Sequence, residues 1–322
     1  MWQEHNLSNY KILIGKYGGL FALTILIVFN LFYTPYFATL QALSINLTQV
    51  APIILVGLGM TFVIATKGID LSVGALMSIA GTLSAMILLK SLLPVDHLYL
   101  RIILAILVPI LITTGFGCFN GWLINRFSIQ PIIATLVLFI AGRGIAQVLT
   151  DGDVQFFEVP EFQKIALSRI LIFPFQIYYV AILAFVSYFV LNRTVLGKQI
   201  LAVGGNEKAS NLTGIPTKRI RLFVYGFSGF CCSIAGLNSI AMNSAADAMW
   251  MGYLIELDAI AAVVIGGTLL SGGKATIIGT ILGAFIIQLV GYTLIGNGVP
   301  DAVVLISKGF LIIISVWLQK NN

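Results

Sequence analysis

Ten apolar runs separated by short polar interruptions constrain this chain more than any other feature. They fall at about 18–34, 49–66, 72–90, 101–124, 131–150, 175–191, 222–242, 257–271, 275–295 and 302–318. A hydrocarbon core of about 30 Å takes roughly 20 apolar residues per spanning helix, so the chain reads as all-α: a polytopic membrane protein with about ten transmembrane helices. The eighth run is short and ends in Gly266, Gly267, Ser271, Gly272 and Gly273, so a tilted or broken helix is expected there. Hydrophobic residues make up 59% of the chain and charged residues 9%, a balance that a soluble surface does not tolerate. With no linker, low-complexity tract or phosphate-binding GxxxxGK[ST] loop, residues 1–322 are expected to form one transmembrane domain without an ATPase of its own.

Charge gives the orientation. Lys11 and Lys16 precede the first run, which lacks a small-residue cleavage site and so reads as a helix with a cytoplasmic N-terminus. An even number of spans returns the C-terminus to the same side. Twelve basic residues then lie inside: Lys11, Lys16, Lys67, Arg126, six in 192–222, Lys274 and Lys320. Four lie outside: Lys90, Arg101, Lys164 and Arg169. This three-to-one bias satisfies the positive-inside rule, and it accounts for the net charge of +6 without nucleic acid. Acids gather at the other face, where they are either a docking surface or solvated loop charges.

The longest polar interruption, 192–222, carries those six basic residues against a single acid, Glu207. Its centre, GGNEKASNLTGIP, is punctuated as a short helix: Asn206 as N-cap, Glu207 in the first turn, Gly214 in the left-handed position and Pro216 as a stop. The pattern predicts a loop that docks a partner.

Chemistry-bearing residues are sparse. Lys67-Gly68-Ile69-Asp70-Leu71-Ser72-Val73-Gly74 places charges and glycines between apolar runs, as in a sharp turn or helix break. Gly68, Asp70, Ser72 and Gly74 are the candidate joint, with Asp70 or Ser72 as a cap of the next helix. Arg143 lies midway along the fifth run, where an arginine must pair, snorkel or face a wet cavity. With Gln147 one turn on, it would line a substrate path by bonding hydroxyls, or else serve as a structural arginine on carbonyls or an acid. Lys308 poses the same question. Asp247, Trp250, Tyr253, Glu256 and Asp258 in the stretch 243–258 are acids and rings that cradle carbohydrate, although an interfacial aromatic belt explains the rings equally well. The aromatic outer loop 151–174 would meet either a partner or the lipid headgroups. Gly57, Gly59, Gly115, Gly117, Gly121, Gly226, Gly229, Gly279, Gly283 and Gly291 read as helix-packing faces, and Cys118, Cys231 and Cys232 as packing residues. His5 and His97 lie outside the runs, so neither a catalytic constellation nor a metal site is expected.

Three stretches carry a resemblance: GMTFVIATKGIDLSVGALMSIAG at 59–81, GKQILAVGGNEKASNLTGI at 197–215 and LDAIAAVVIGGTLLSGGK at 257–274. Together they resemble the permease subunits of ribose-type sugar ABC importers, and the similarity spreads over nearly the whole chain. Segments 129–157 and 254–260 are most similar to the galactofuranose-transporting branch, which pairs two different permeases. Lys67 departs from the small residue that the family commonly places before Gly-Ile-Asp. The resemblance implies a bacterial inner-membrane location, a second permease (of the same or a different chain), two cytoplasmic ATPase subunits and an extracytoplasmic sugar-binding protein. It implies no cofactor on this chain, with ATP and Mg on the ATPases. It makes the short helix a coupling helix, with Gly204, Gly205, Asn206, Glu207, Lys208, Asn211 and Gly214 at the docking site. The other reading is an ion-coupled secondary sugar transporter, which would need buried acids or histidines. The sequence places Arg143 and Lys308 inside runs, both cations, and so favours the importer.

Overall fold

A computed structural model describes residues 2–320, with side chains described over 18–317. The protein is mostly helical. In chain order the elements are α1 (Trp2–Tyr33), α2 (Leu40–Ala65), α3 (Val73–Leu88), α4 (Leu98–Phe127), α5 (Pro131–Leu149), β1 (Gln155–Phe156), α6 (Pro160–Leu167), β2 (Arg169–Ile170), β3 (Phe173–Pro174), α7 (Phe175–Arg193), α8 (Val195–Gly205), α9 (Glu207–Leu212), α10 (Thr217–Asn243), β4 (Ala245–Ala246), α11 (Ile255–Ile265), α12 (Ile277–Gly296) and α13 (Asp301–Lys320). Each of the ten apolar runs falls on one of these helices. Among the described residues, α2, α4, α5, α7, α10 and α12 are long and apolar enough to cross a bilayer unaided.

Helix α2 is the axis of the bundle. Thr39 caps its start by accepting from the Ala42 N–H at 3.1 Å, and from Val50 to Ala65 it is buried at all but one position. Around it pack α7, α10, α11 and α12. Helices α4, α5 and α7 bury one stripe each and present Leu111, Val137, Ile140 and Phe185 outward, as a bilayer-facing surface requires.

Helices α3 and α11 have 16 and 11 residues, which at 1.5 Å per residue span about 24 and 16 Å. The expected break in the eighth run is therefore observed after Ile265. The third run is short as well, which its apolar length concealed. In each case the remaining distance belongs to irregular chain, 66–72 before α3 and 266–276 after α11.

The longest helix contact is α10 against α4, and glycines allow it. A Cβ on Gly117 would strike the Tyr225 carbonyl, and one on Gly229 the Thr113 carbonyl. Gly121 and Gly226 sit in the same seam, whereas Gly115, expected to join it, faces open space. Such close approach gains dispersion and backbone contact that lipid tails cannot supply. A second core lies under the 151–174 loop, where Phe157 and Phe162 meet edge to face at 5.8 Å and pack on Ile87, Leu237 and Ile240. Of the loop's four phenylalanines, Phe156 and Phe173 remain exposed. Strand β1 pairs antiparallel with β4, which ties this loop to the stretch that follows α10.

Gly229→Val is expected to overpack the α4–α10 seam, at a cost of about 1–3 kcal/mol. A thermal melt in detergent, followed by size-exclusion chromatography, checks the loss; an unchanged melt would show that the seam relaxes freely.

Candidate functional site

The residues singled out in the sequence fall mainly at three places. The first is the break before α3. The backbone turns at Lys67, which adopts φ +64°, a conformation costly for a residue with a side chain. Beyond it Asp70 is fully buried. Its Oδ1 accepts from the N–H and hydroxyl of Ser72 at 3.0 and 2.6 Å, and its Oδ2 from the Ser228 hydroxyl at 2.7 Å. Asn120 donates to Ser72 Oγ at 3.1 Å. The joint residues Asp70 and Ser72 are thus tied to α4 and α10 by hydrogen bonds alone, with no ion pair to Asp70 among the described residues. Ser72 occupies the N-cap position but makes no side-chain cap bond; its hydroxyl serves Asp70 instead, which corrects the expected capping role. Gly68 is needed because a Cβ there would meet the Tyr225 hydroxyl.

The second is the turn between β4 and α11. Arg143 donates to the carbonyls of Met249, Met251 and Gly252 at 2.8, 3.2 and 3.0 Å. Of the alternatives open in the sequence, its guanidinium takes the structural one here, gathering backbone oxygens that would otherwise lie unsatisfied. Asp247 caps the same turn, accepting from Met249 N and Trp250 N at 2.9 and 3.1 Å. Trp250 and Tyr253 stand exposed, edge to face at 5.1 Å. Glu256 is only 5% exposed, and its Oε2 has no hydrogen-bond partner among the described residues. A Cβ on Gly74 would come within 2.8 Å of that oxygen and 3.1 Å of Arg143 Nη2, besides striking the Gly252 carbonyl, so α3, α5 and α11 converge on this glycine. Gln147 is half-buried one turn along α5. Asp258 lies apart from this group, paired with Lys308 at 2.7 Å.

Buried acids, Asp70 and Glu256, are therefore present in addition to the two cations that the sequence places inside the runs. Asp70 takes one partner from two residues on, Ser72, and the other, Ser228, from 158 residues away.

The third place is the stretch 192–222, where the structure holds two helices rather than one. Thr194 starts α8 by accepting from Gly197 N at 3.2 Å. Asn206 caps α9 by accepting from Ala209 N at 3.0 Å, and Gly214 takes φ +83°, as the punctuation predicts. Glu207 is bound to Arg221 at 2.6 Å, Arg221 to Asn125 at 2.7 Å, and Asn125 to the Lys218 carbonyl at 2.8 Å, so α9 is fastened to α4 and α10. Lys208 and Asn211 remain exposed, as does Leu212 at 90%. At the end of α8, a Cβ on Gly204 would collide with the Ala65 carbonyl. Gly273 donates to that carbonyl at 3.1 Å. Gly272 and Gly273, at φ +79° and +77°, press on Gly204, Gly205 and Lys67. Three pieces of main chain meet here: the end of α8, the break after α2 and the turn after α11.

These elements define a class, a polytopic helical membrane protein in which irregular backbone beside α3 and α11 meets the end of α8. The chain belongs to the family described as branched-chain amino acid transport system / permease component, which matches residues 42–316. Among its relatives, the galactofuranose transporter permease protein YtfT of Escherichia coli K12 is 38% identical over 86% of this chain and 79% of its own length. The ribose import permease protein RbsC of Haemophilus influenzae is 35% identical over 97% and 96%, and the fructose import permease protein FruF of Bifidobacterium longum 38% over 79% and 70%. No solved structure matches. The protein is thus a multi-pass inner-membrane transport subunit and not an enzyme.

Arg143→Ala removes three charge-assisted hydrogen bonds, each worth about 1.5–3 kcal/mol. Amide exchange at residues 249–254 is expected to accelerate, and Arg143→Lys, lacking the fork, is expected not to restore protection. Unchanged exchange in Arg143→Ala would remove the holding role.

Proposed function

We propose that this chain is the membrane-spanning permease of an ATP-driven importer for a monosaccharide, working by alternating access. The observation that carries the proposal is similarity along nearly the entire chain to permeases named for galactofuranose, ribose, fructose and allose. The family description names amino acids, but these relatives align over 79–98% of this chain and are all named for sugars. Ion-coupled transport is not the reading we favour despite Asp70 and Glu256, because the relatives are importer permeases and Asp70 already accepts three hydrogen bonds.

In this reading the chain is one domain of ten membrane-crossing segments with both termini cytoplasmic, α3 and α11 being completed by irregular backbone. It pairs with a second permease, two ATPase subunits that hold ATP and Mg, and an extracytoplasmic sugar-binding protein. Helix α9 is the coupling helix. Its support is an exposed apolar tip, Leu212, on a capped element that faces the basic side of the chain; exposed leucines there have no lipid to meet. Glu207, first read as a contact for the ATPase, already binds Arg221, so it positions α9, and the contact falls to Lys208, Asn211 and Leu212. Force arriving at α9 passes through Gly204 and Gly205 to the break after α2 and the turn after α11.

Purified alone, the chain is expected neither to hydrolyse ATP nor to take up sugar in vesicles, and to gain both with its ATPase and binding protein. Uptake by this chain alone under an ion gradient would refute the reading. Leu212→Ala with Lys208→Glu is expected to lower co-purification of the ATPase by roughly tenfold, the equivalent of about 1.4 kcal/mol, while membrane insertion is unchanged. Gly204→Val is expected to keep the ATPase bound but to uncouple hydrolysis from uptake. ATPase and uptake assays on the same proteoliposomes separate the two effects.

A further inference from the structure

A polar groove lies between α2, α12 and α13 that no role described so far uses. Gln288 donates to Gln49 at 2.6 Å, and Lys308, held by Asp258 at 2.7 Å, lines the same cavity with Tyr292. The cavity measures about 350 Å³, within the usual span of small-molecule sites, about 300–1,000 Å³. Gly291 lies in the same lining, beside the Lys308 stem.

Depth makes this arrangement informative. Gln49 lies nine residues into α2 and Gln288 eight residues before the end of α12, so both sit about 12–14 Å from their helix ends at 1.5 Å per residue. Gln49 is exposed on the protomer and Gln288 half-buried. Amides facing hydrocarbon would leave bonds unmade at a cost of several kcal/mol, and intramembrane polar groups of this kind face wet cavities or protein. The Gln49–Gln288 bond uses one donor and one acceptor, leaving an amide donor on Gln49 and an acceptor on Gln288. Lys308 is charge-balanced by Asp258. Polar side-chain atoms in the lining come from Gln49, Gln288, Tyr292 and Lys308, and the rest is aliphatic or glycine; this amphipathic, nearly neutral wall suits an uncharged molecule with hydroxyls and apolar C–H faces and disfavours a phosphate or a lipid headgroup anion.

We infer that this groove is a wall of the substrate path, with Gln49 and Gln288 offering their amides in turn to the hydroxyls of a passing monosaccharide. The inference rests on the importer reading above. It moves the path from the Arg143 turn, where Arg143 and Asp247 are engaged with backbone, to the α2–α12–α13 face.

The test uses the assembled complex of permeases, ATPase and binding protein in proteoliposomes, with radiolabelled D-ribose, D-galactose, D-fructose and D-allose as probes. Uptake driven by ATP in the unsubstituted complex is read first; its absence for every sugar counts against the importer reading rather than against the groove. Gln49→Cys and Gln288→Cys are then made in a Cys118→Ala background, in which the fully buried Cys231 and Cys232 set the baseline. A charged, membrane-impermeant thiol reagent is expected to label both positions, more slowly in the presence of loaded binding protein and the transported sugar. Gln288→Leu is expected to lower uptake roughly fivefold, the worth of one neutral hydrogen bond, with binding-protein-stimulated ATP hydrolysis retained. Labelling only by a membrane-soluble maleimide would place the groove against lipid. Labelling by neither reagent would make it a sealed subunit contact, and unchanged uptake in Gln288→Leu would deny it a part in transport; each of these overturns the inference.

Discussion

Inside a bilayer a peptide group released from a helix must find its partner within the protein, and every unusual feature of this structure answers that demand. The chain leaves helical geometry at depth in two places, 66–72 and 266–276, and each is furnished with its own acceptors and donors. At the first, Asp70 and Ser72 supply them, with Ser228 and Asn120 reaching in from neighbouring helices. At the second, Thr268 accepts from Thr276 N at 3.0 Å, and Gly273 borrows the Ala65 carbonyl. Arg143 does the same for the turn ahead of α11. A broken helix is tolerable only with such support, and a transporter needs breaks because unbroken helices offer no place to bend.

The helices were legible because membrane thickness imposes a length on apolar runs, and a length is a local property. The cap at Asn206, the left-handed Gly214 and the glycines at 117, 121, 226 and 229 were legible for a similar reason: each satisfies a constraint within one turn or on one helix face. Helix α8 was missed because the adjacent Lys198 and Gln199 read as loop polarity, while its apolar stripe (Ile200, Val203) packs inward. The pairing of Asp258 with Lys308, 50 residues apart, and the hold of Arg143 on residues more than 100 positions away were hidden because sequence shows that a buried charge needs company without showing whose. The intramembrane glutamines carry no charge and left no signal strong enough to single them out.

The acids illustrate how far charge type alone informs mechanism. Buried carboxylates are the usual mark of ion coupling, yet here one is saturated by hydroxyl and amide donors and another closes an ion pair. Among the described residues Glu256 keeps a buried oxygen without a hydrogen-bond partner, close to Gly74 and Arg143.

The junction of Gly204, Gly205, Gly272, Gly273 and the Ala65–Lys67 backbone is made of main chain on all sides. Side chains act as springs: their torsions absorb small displacements before anything beyond them moves. A joint without side chains has no such backlash, so a shift of a few tenths of an ångström at one arm appears undiminished at the other two. Its stiffness resides largely in peptide planes, so the substitutions that reach it are those that add bulk at its glycines. Such a linkage would trade adjustability for fidelity, delivering the same stroke to both broken helices at the same moment.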